Sequence, residues 1–201
     1  ASQSPLVVID GIPGGDMPAL IQEDIESFDV LKDASAGAIY GTRAAGGVIL
    51  ITTKRAKQGR VSVNYTGEFS IESIRKYPDL LSSSEYVEYG LGEDYGSDTD
   101  WFKELTNELP FSQRHTVSLS GGTEAAQVYT SFMAQDQKGI VIGDNRKDYS
   151  GRINARFNLF DGLVEVRANA QFREAERDNR NSSGIFKMAF GLNPTIPLYD
   201  P

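Results

Sequence analysis

From residue 61 onward, apolar and polar positions alternate with a period of two. Val61, Val63, Tyr65, Gly67, Phe69 and Ile71 interleave with Ser62, Asn64, Thr66, Glu68 and Ser70. Successive side chains of a strand point to opposite faces, so this pattern predicts a strand with one apolar and one polar face. Val117 and Leu119 alternate in the same way with Thr116, Ser118 and Ser120. Val128, Thr130, Phe132 and Ala134 alternate less cleanly with Gln127, Tyr129, Ser131 and Met133. Ile153, Ala155, Phe157 and Leu159 stand against Arg152, Asn154, Arg156 and Asn158; Val164, Val166, Ala168, Ala170 and Phe172 stand against Glu165, Arg167, Asn169, Gln171 and Arg173. Five strands of about 9–11 residues are predicted, the length a tilted strand needs to cross a bilayer.

The connections differ in length. GGTEAA is a tight turn, and Asp161-Gly162 is a two-residue hairpin signal. An excursion over 72–113 separates the first two strands, and an intermediate loop over 138–147 separates the third and fourth. Long and short connections therefore take turns, as in membrane barrels with short inner turns and longer outer loops. The polar faces mix Arg152, Arg156, Arg167 and Arg173 with Glu68 and Glu165. Such a face suits a hydrated lumen and equally the wet surface of a soluble sandwich.

The first 60 residues are patterned differently. Pro5 to Ile9 reads as a short strand, Asp10-Gly11 and Pro13-Gly14-Gly15 as turns, and Pro18 to Gln22 as one helical turn. Ile25 to Thr53 reads as strand, short helix, glycine turn, strand. Asp33 and Ser35 are candidate caps for a helix over Ala34–Tyr40, Gly41 is its stop, and Gly46-Gly47 turns the chain into the apolar run Val48 to Thr53. A strand that is apolar on both faces is expected to be buried on both. Asp10, Asp16, Glu23 and Asp24 are candidates for a cation or sugar site, but solvated turn residues are the expected reading. Lys54 to Arg60, KRAKQGR, is a basic bridge.

Two segments carry a resemblance to a known family: VIDGIP at Val8 to Pro13, and VLKDASAGAIYGTRAAGGVILITTKR at Val30 to Arg55. They resemble the end of the plug domain of TonB-dependent outer-membrane transporters, in particular the SusC/RagA-like branch. The resemblance implies an α+β plug portion, its C-terminal part over 1–56, followed over 57–201 by the first five or so antiparallel strands and outer loops of a transmembrane β-barrel, incomplete in this stretch. It implies import of large nutrients, oligosaccharide or peptide, across the outer membrane. The implied partners are TonB, through a segment preceding Ala1, a SusD-like surface lipoprotein, and outer-membrane lipid against Val61, Val63, Tyr65, Phe69, Ile153, Phe157, Val164, Val166 and Phe172. No secretion signal opens the chain, and an excised internal fragment is expected. With its apolar faces uncovered, such a fragment should self-associate. The alternative is a soluble β-rich carbohydrate-binding or adhesion module using Tyr65, Tyr86, Tyr89, Tyr95, Trp101 and Tyr129 as its platform.

Composition narrows the chemistry. The chain has no cysteine and one histidine, His115, which excludes thiol chemistry and leaves too few imidazoles for a histidine metal centre. A net charge of −8 opposes binding to nucleic acid. No catalytic, cofactor or metal residue is assigned, no enzyme activity is expected, and the residues contacting substrate are not identified. Within the excursion, Ser82, Ser83 or Ser84 is expected to cap a helix carrying Tyr86, Val87, Tyr89 and Leu91, and Thr99-Asp100 to cap a second through Trp101, Phe102 and Leu105. Glu93, Asp94, Asp98 and Asp100 form an acidic cluster whose spacing does not fit the twelve-residue calcium loop. Trp101 is expected to pin its own loop, His115 to be structural, and the stripe Ile185, Phe186, Met188, Ala189, Phe190 and Leu192 to form a short helix ending before Pro194.

Overall fold

The computed structural model describes residues 4–32, 39–178, 180 and 182–199. The first sheet contains β1 (Leu6–Ile9), β2 (Ile12–Pro13), β3 (Ile25–Leu31) and β4 (Val48–Thr53) in the order β2-β1-β4-β3. β1 runs parallel to β4, with Leu6 opposite Val48 and Ile9 opposite Ile51, while β3 pairs antiparallel to the other side of β4. The β-branched run therefore occupies the centre, and Val48, Ile51 and Thr53 are buried. β3 lies at the edge, which leaves Phe28 and Val30 half exposed. Val8, Ala44 and Val48 form the core of this layer, with Leu6, Leu31, Tyr40 and Leu50 against it. The expected helix over Ala34–Tyr40 falls, up to residue 38, outside the described residues, as do its caps Asp33 and Ser35. The turn expected at Pro18 to Gln22 is instead two 3-10 turns, Met17–Ala19 and Gln22–Asp24.

The second sheet contains β5 (Gly59–Ile71), β6 (Phe111–Gly122), β7 (Ala126–Lys138), β8 (Asn145–Leu159) and β9 (Val164–Asp178), paired in chain order. All five expected strands are present, and they are longer than the expected 9–11 residues, at 12 to 15. The added ends, such as Gln135 to Lys138 and Glu174 to Asp178, hold no apolar residue larger than Ala175, so no alternation marks them. At about 3.4 Å per residue these strands are longer than an apolar band about 25 Å tall. The lengthening shortens the loops to 72–110 and 139–144. In the β8–β9 connection, Asp161 and Gly162 both have positive φ, 54° and 87°, and the Leu163 amide donates to the Phe160 carbonyl at 3.1 Å. The expected Asp-Gly turn thus forms, within a four-residue connection.

The chain divides into two compact units, the first comprising Ala1–Gly67, His115–Ala134 and Asp148–Glu174, the second Glu68–Arg114, Gln135–Lys147 and Ala175–Pro201. The second unit contains α1 (Ser83–Glu88), α2 (Trp101–Glu104) and α3 (Ser182–Gly191). Phe102 is its centre, with ring centroids 5.1 Å from Phe186, 6.2 Å from Phe190 and 5.8 Å from Tyr77. The segment after α3 is sewn to the excursion. The Trp101 indole donates to the Asn193 carbonyl at 2.9 Å, the Thr99 amide to the Pro194 carbonyl at 2.8 Å, and the Ser97 amide to the Thr195 carbonyl at 3.0 Å. Trp101 is thus a fastener, though to the tail rather than to its own loop.

Ser82 caps α1 as its sequence predicts. Its hydroxyl accepts from the Glu85 amide at 3.3 Å while the Glu85 carboxylate accepts from the Ser82 amide at 2.9 Å. Ser82→Ala is expected to cost α1 about 1 kcal/mol of local stability. Amide exchange over residues 83–86 should then quicken roughly fivefold, with exchange in β6 and β7 unchanged.

Candidate functional site

The site of interest lies in the first unit, where the small sheet meets the inward faces of β7 and β8. The β1–β2 hairpin turns through Asp10 and Gly11, both with positive φ, 50° and 86°. Gly11 takes that conformation freely, and Asp10 is held in it by side-chain bonds to distant strands. The Asp10 carboxylate accepts from the Thr53 amide at 2.9 Å and the Thr53 hydroxyl at 2.6 Å, and pairs with the Arg152 guanidinium. Arg55 stands 4.0 Å away. Burial alone would raise the Asp10 carboxyl, but the Thr53 hydrogen bonds and then the Arg152 charge outweigh it and hold the carboxyl below its ordinary range.

Asp24, at the end of a 3-10 turn, is fully buried at 0% exposure. Its carboxylate accepts from the Tyr129 hydroxyl at 2.7 Å and from the Ser131 hydroxyl, both on β7. Its carbonyl accepts from the Lys54 amide at 2.7 Å, and the Lys54 carbonyl accepts from the Asn154 side-chain amide at 3.1 Å. The expectation that Asp10 and Asp24 are solvated turn residues is therefore corrected: Asp24 is buried, Asp10 is half-buried, and both are bonded to strands more than a hundred residues away. Asp16 is exposed and Glu23 half-buried. Proximity in the chain did not bring the four acids together as one site.

The inward wall carries charges of both signs, as its sequence predicts. Asp148 is buried and bonded to Arg173 at 2.7 and 3.0 Å. Glu165 accepts from Arg156 at 2.5 Å and also from Arg167. The opposite face is apolar: Val61, Val63, Tyr65, Phe69, Ile153, Phe157, Val164, Val166 and Phe172 are all exposed, Val61 by 67% and Phe69 by 63%. Tyr65 lies on this face with His115, hydroxyl to ring nitrogen at 2.7 Å, which gives the lone histidine a structural place.

In the second unit, the four acids of the suspected calcium cluster are each engaged by protein groups. Asp94 accepts from the Gly96 amide at 2.8 Å, Asp98 from the Ser83 amide at 3.0 Å, Asp100 from the Lys103 amide at 3.1 Å, and Glu93 from the Tyr95 hydroxyl at 3.2 Å. Among the described residues, no group of three or more acids or histidines is arranged to hold a metal ion. An open groove of about 650 Å3 runs beside Tyr86, Trp101, Asp98, Asp100 and Phe190.

Sequence reasoning, which placed Tyr129 only in the alternative aromatic platform, missed the bonds of Tyr129 and Ser131 to Asp24 and the pairing of Arg152 with Asp10. One signal was present. The third strand alternates poorly because Tyr129 and Met133, both large, sit on its polar face. Both are buried, and Tyr129 marks where another layer covers the wall.

The comparisons agree with this geometry. Residues 1–48 match the TonB-dependent Receptor Plug Domain. The chain is 34% identical over 217 residues to the TonB-dependent receptor SusC of Bacteroides thetaiotaomicron, covering 99% of this chain and 22% of that protein. It is 33% identical to the TonB-dependent receptor P26 of Formosa agariphila, covering 99% of this chain and 22% of that one. Its fold matches the RagAB peptide importer in its closed-closed state with a TM-score of 0.73 and 25% identity, over 89% of this chain and 25% of that chain. The chain spans about a fifth of the length of the curated relatives it matches. A plug-type sheet packed on the polar face of barrel-type strands defines the chain as part of a TonB-dependent receptor. Within that class its similarity is to receptors of the SusC and RagA type.

Two outcomes follow from the buried carboxylates. Asp24→Ala strands the Tyr129 and Ser131 hydroxyls without their acceptor, at about 1–3 kcal/mol for each buried donor left unpaired. Limited proteolysis should then cut within 16–32 much faster than in the parent. Asp10 binds its proton more weakly folded than unfolded, so its contribution is full above the ordinary carboxyl pKa of 3.8 and is lost as pH falls through the lower folded value. Thermal melting should weaken below about pH 4, and Asp10→Asn should flatten that part of the profile.

Proposed function

We propose that this chain is the end of the plug and the first barrel strands of an outer-membrane transporter that imports large nutrients, oligosaccharide or peptide. The observation that carries the reading is the double character of the β5–β9 sheet. On one face the small, plug-type sheet covers β7 and β8 through Asp24 and Asp10, and the other face presents nine large hydrophobic residues to the outside. A sheet with that outward face fits lipid better than water. TonB supplies the pull from the inner side, and a SusD-like lipoprotein closes the outer mouth. The change from the small sheet to the long strands falls between Thr53 and Gly59, which supports a plug boundary at 56 and a barrel beginning at 57. The protein acts by binding and passage, not by bond cleavage.

The test is uptake by cells carrying the full-length receptor. TonB-dependent growth on an oligosaccharide or on peptides as sole carbon source, lost on deletion of tonB, is the expected result, and co-purification of a surface lipoprotein is expected beside it. Growth that is indifferent to both the receptor and TonB overturns the reading. A separate outcome concerns the 201-residue chain alone. In water without detergent it is expected to self-associate through the uncovered faces and the single-sided edges of β5 and β9, read by light scattering. A clean monomer that binds no hydrophobic dye would favour a soluble module.

A further inference from the structure

The Asp10–Arg152 pair also separates two spaces. A cavity of about 160 Å3 is lined by Asp10, Arg55, Gln127, Asn154, Arg156 and Asn169. A second, of about 220 Å3, is lined by Ile9, Asp10, Ile12, Arg152, Asn169 and Gln171. Asp10 and Asn169 belong to both, so the common boundary lies where the hairpin carboxylate reaches the wall. Arg152 closes that boundary by bonding Asp10, yet its other terminal nitrogen, Nη1, is buried without a hydrogen-bond partner. A buried guanidinium with one free donor holds a partner it can exchange for a passing carbonyl or hydroxyl.

We propose that Asp10 and Arg152 are the gate of a polar route running along the inward faces of β8 and β9, and that the two cavities are the halves of that route in its shut state. The inference rests on the transporter reading and adds to it the residues that open. Asp10 is held from within its own layer by Thr53 and from outside it by Arg152. Drawing the small sheet from the wall breaks the Arg152 contact and leaves the Thr53 contacts in place, so the hairpin stays formed. The joined space then presents the amides of Asn154, Asn169 and Gln171 and the guanidinium of Arg152. These are groups that exchange hydrogen bonds with hydroxyls and amides, the chemistry shared by an oligosaccharide and a peptide backbone.

Two measurements on the full-length receptor decide it. In planar bilayers with potassium chloride, the parent should be closed, and Arg152→Gln, which keeps a polar side chain but removes the charge, should raise conductance at least threefold. Conductance equal to the parent's overturns the gate. The stretch has no cysteine of its own, so Asp10→Cys with Arg152→Cys makes a clean cross-linking pair. Oxidation should lower TonB-dependent uptake at least tenfold, and reductant should restore it in the same cells. Uptake that survives the cross-link, or failure of the two cysteines to join, overturns the proposal. Uptake of oligosaccharide and of peptide is measured separately, so the loss also reports which of the two uses the route. If the parent itself shows no TonB-dependent uptake, the transporter reading fails, while the conductance of Arg152→Gln still judges the gate.

Discussion

Burying a carboxylate is costly unless donors replace the water it loses, and that constraint organises the first unit. Asp24 is fully enclosed and is satisfied by two hydroxyls from one strand of the wall. Asp10 is satisfied partly by its own layer and partly by Arg152. Each carboxylate therefore has a single favourable position against β7 or β8. A slip of one residue in either strand would turn Tyr129, Ser131 and Arg152 to the opposite face, because side chains alternate. The register of the wall and the seating of the small sheet are thus one problem, fixed by the same few hydrogen bonds.

The alternation that made the strands visible carries two different meanings on its two faces. Outward, the side chains are large and apolar with no protein over them. Inward, the small and polar residues Thr116, Ser131, Ser150 and Asn154 are buried. In a water-soluble sandwich the apolar face would be the buried one. Here the buried face is the polar one, and this inversion, not the alternation, separates a barrel wall from a soluble sheet.

What the sequence made legible was whatever is encoded locally. The period of two located five strands, Asp161-Gly162 located a hairpin, and Ser82 followed by Glu85 located a helix start. In each case the determining atoms lie within a few residues of one another. The strand ends were illegible because Gln135 to Lys138 and Glu174 to Asp178 hold no apolar residue larger than Ala175, and a ladder of backbone hydrogen bonds needs no side-chain pattern. The roles of Asp10 and Asp24 were illegible for another reason. An aspartate in a turn looks the same whether water or a tyrosine 105 residues away completes its hydrogen bonds. The weak alternation at Tyr129 and Met133 was the trace that the distant partner left.

The manner of attachment bears on how the two layers can part. If the small sheet were held to the wall by apolar packing, separation would expose surface at about 25 cal/mol per Å2, and several hundred Å2 would oppose any modest pull. The contacts named here are instead discrete and polar: Asp10 to Arg152, Asp24 to Tyr129 and Ser131, and Asn154 to the Lys54 carbonyl. Water can take over each of these as it breaks, so the net cost of each is about 0.5–3 kcal/mol and not the full strength of the bond. The same contacts, while dry, are directional and fix position closely. The attachment is thus exact in place and modest in strength, which is what the proposed transporter asks of its plug. Charge placement extends the argument outward. Between residues 72 and 110 stand ten acidic and three basic side chains, seven of the eight net negative charges of the chain. The wall facing the small sheet, by contrast, carries Arg152, Arg156, Arg167 and Arg173. There the guanidinium groups meet Asp10, Asp148 and Glu165, so the charge of the wall is balanced within its own unit.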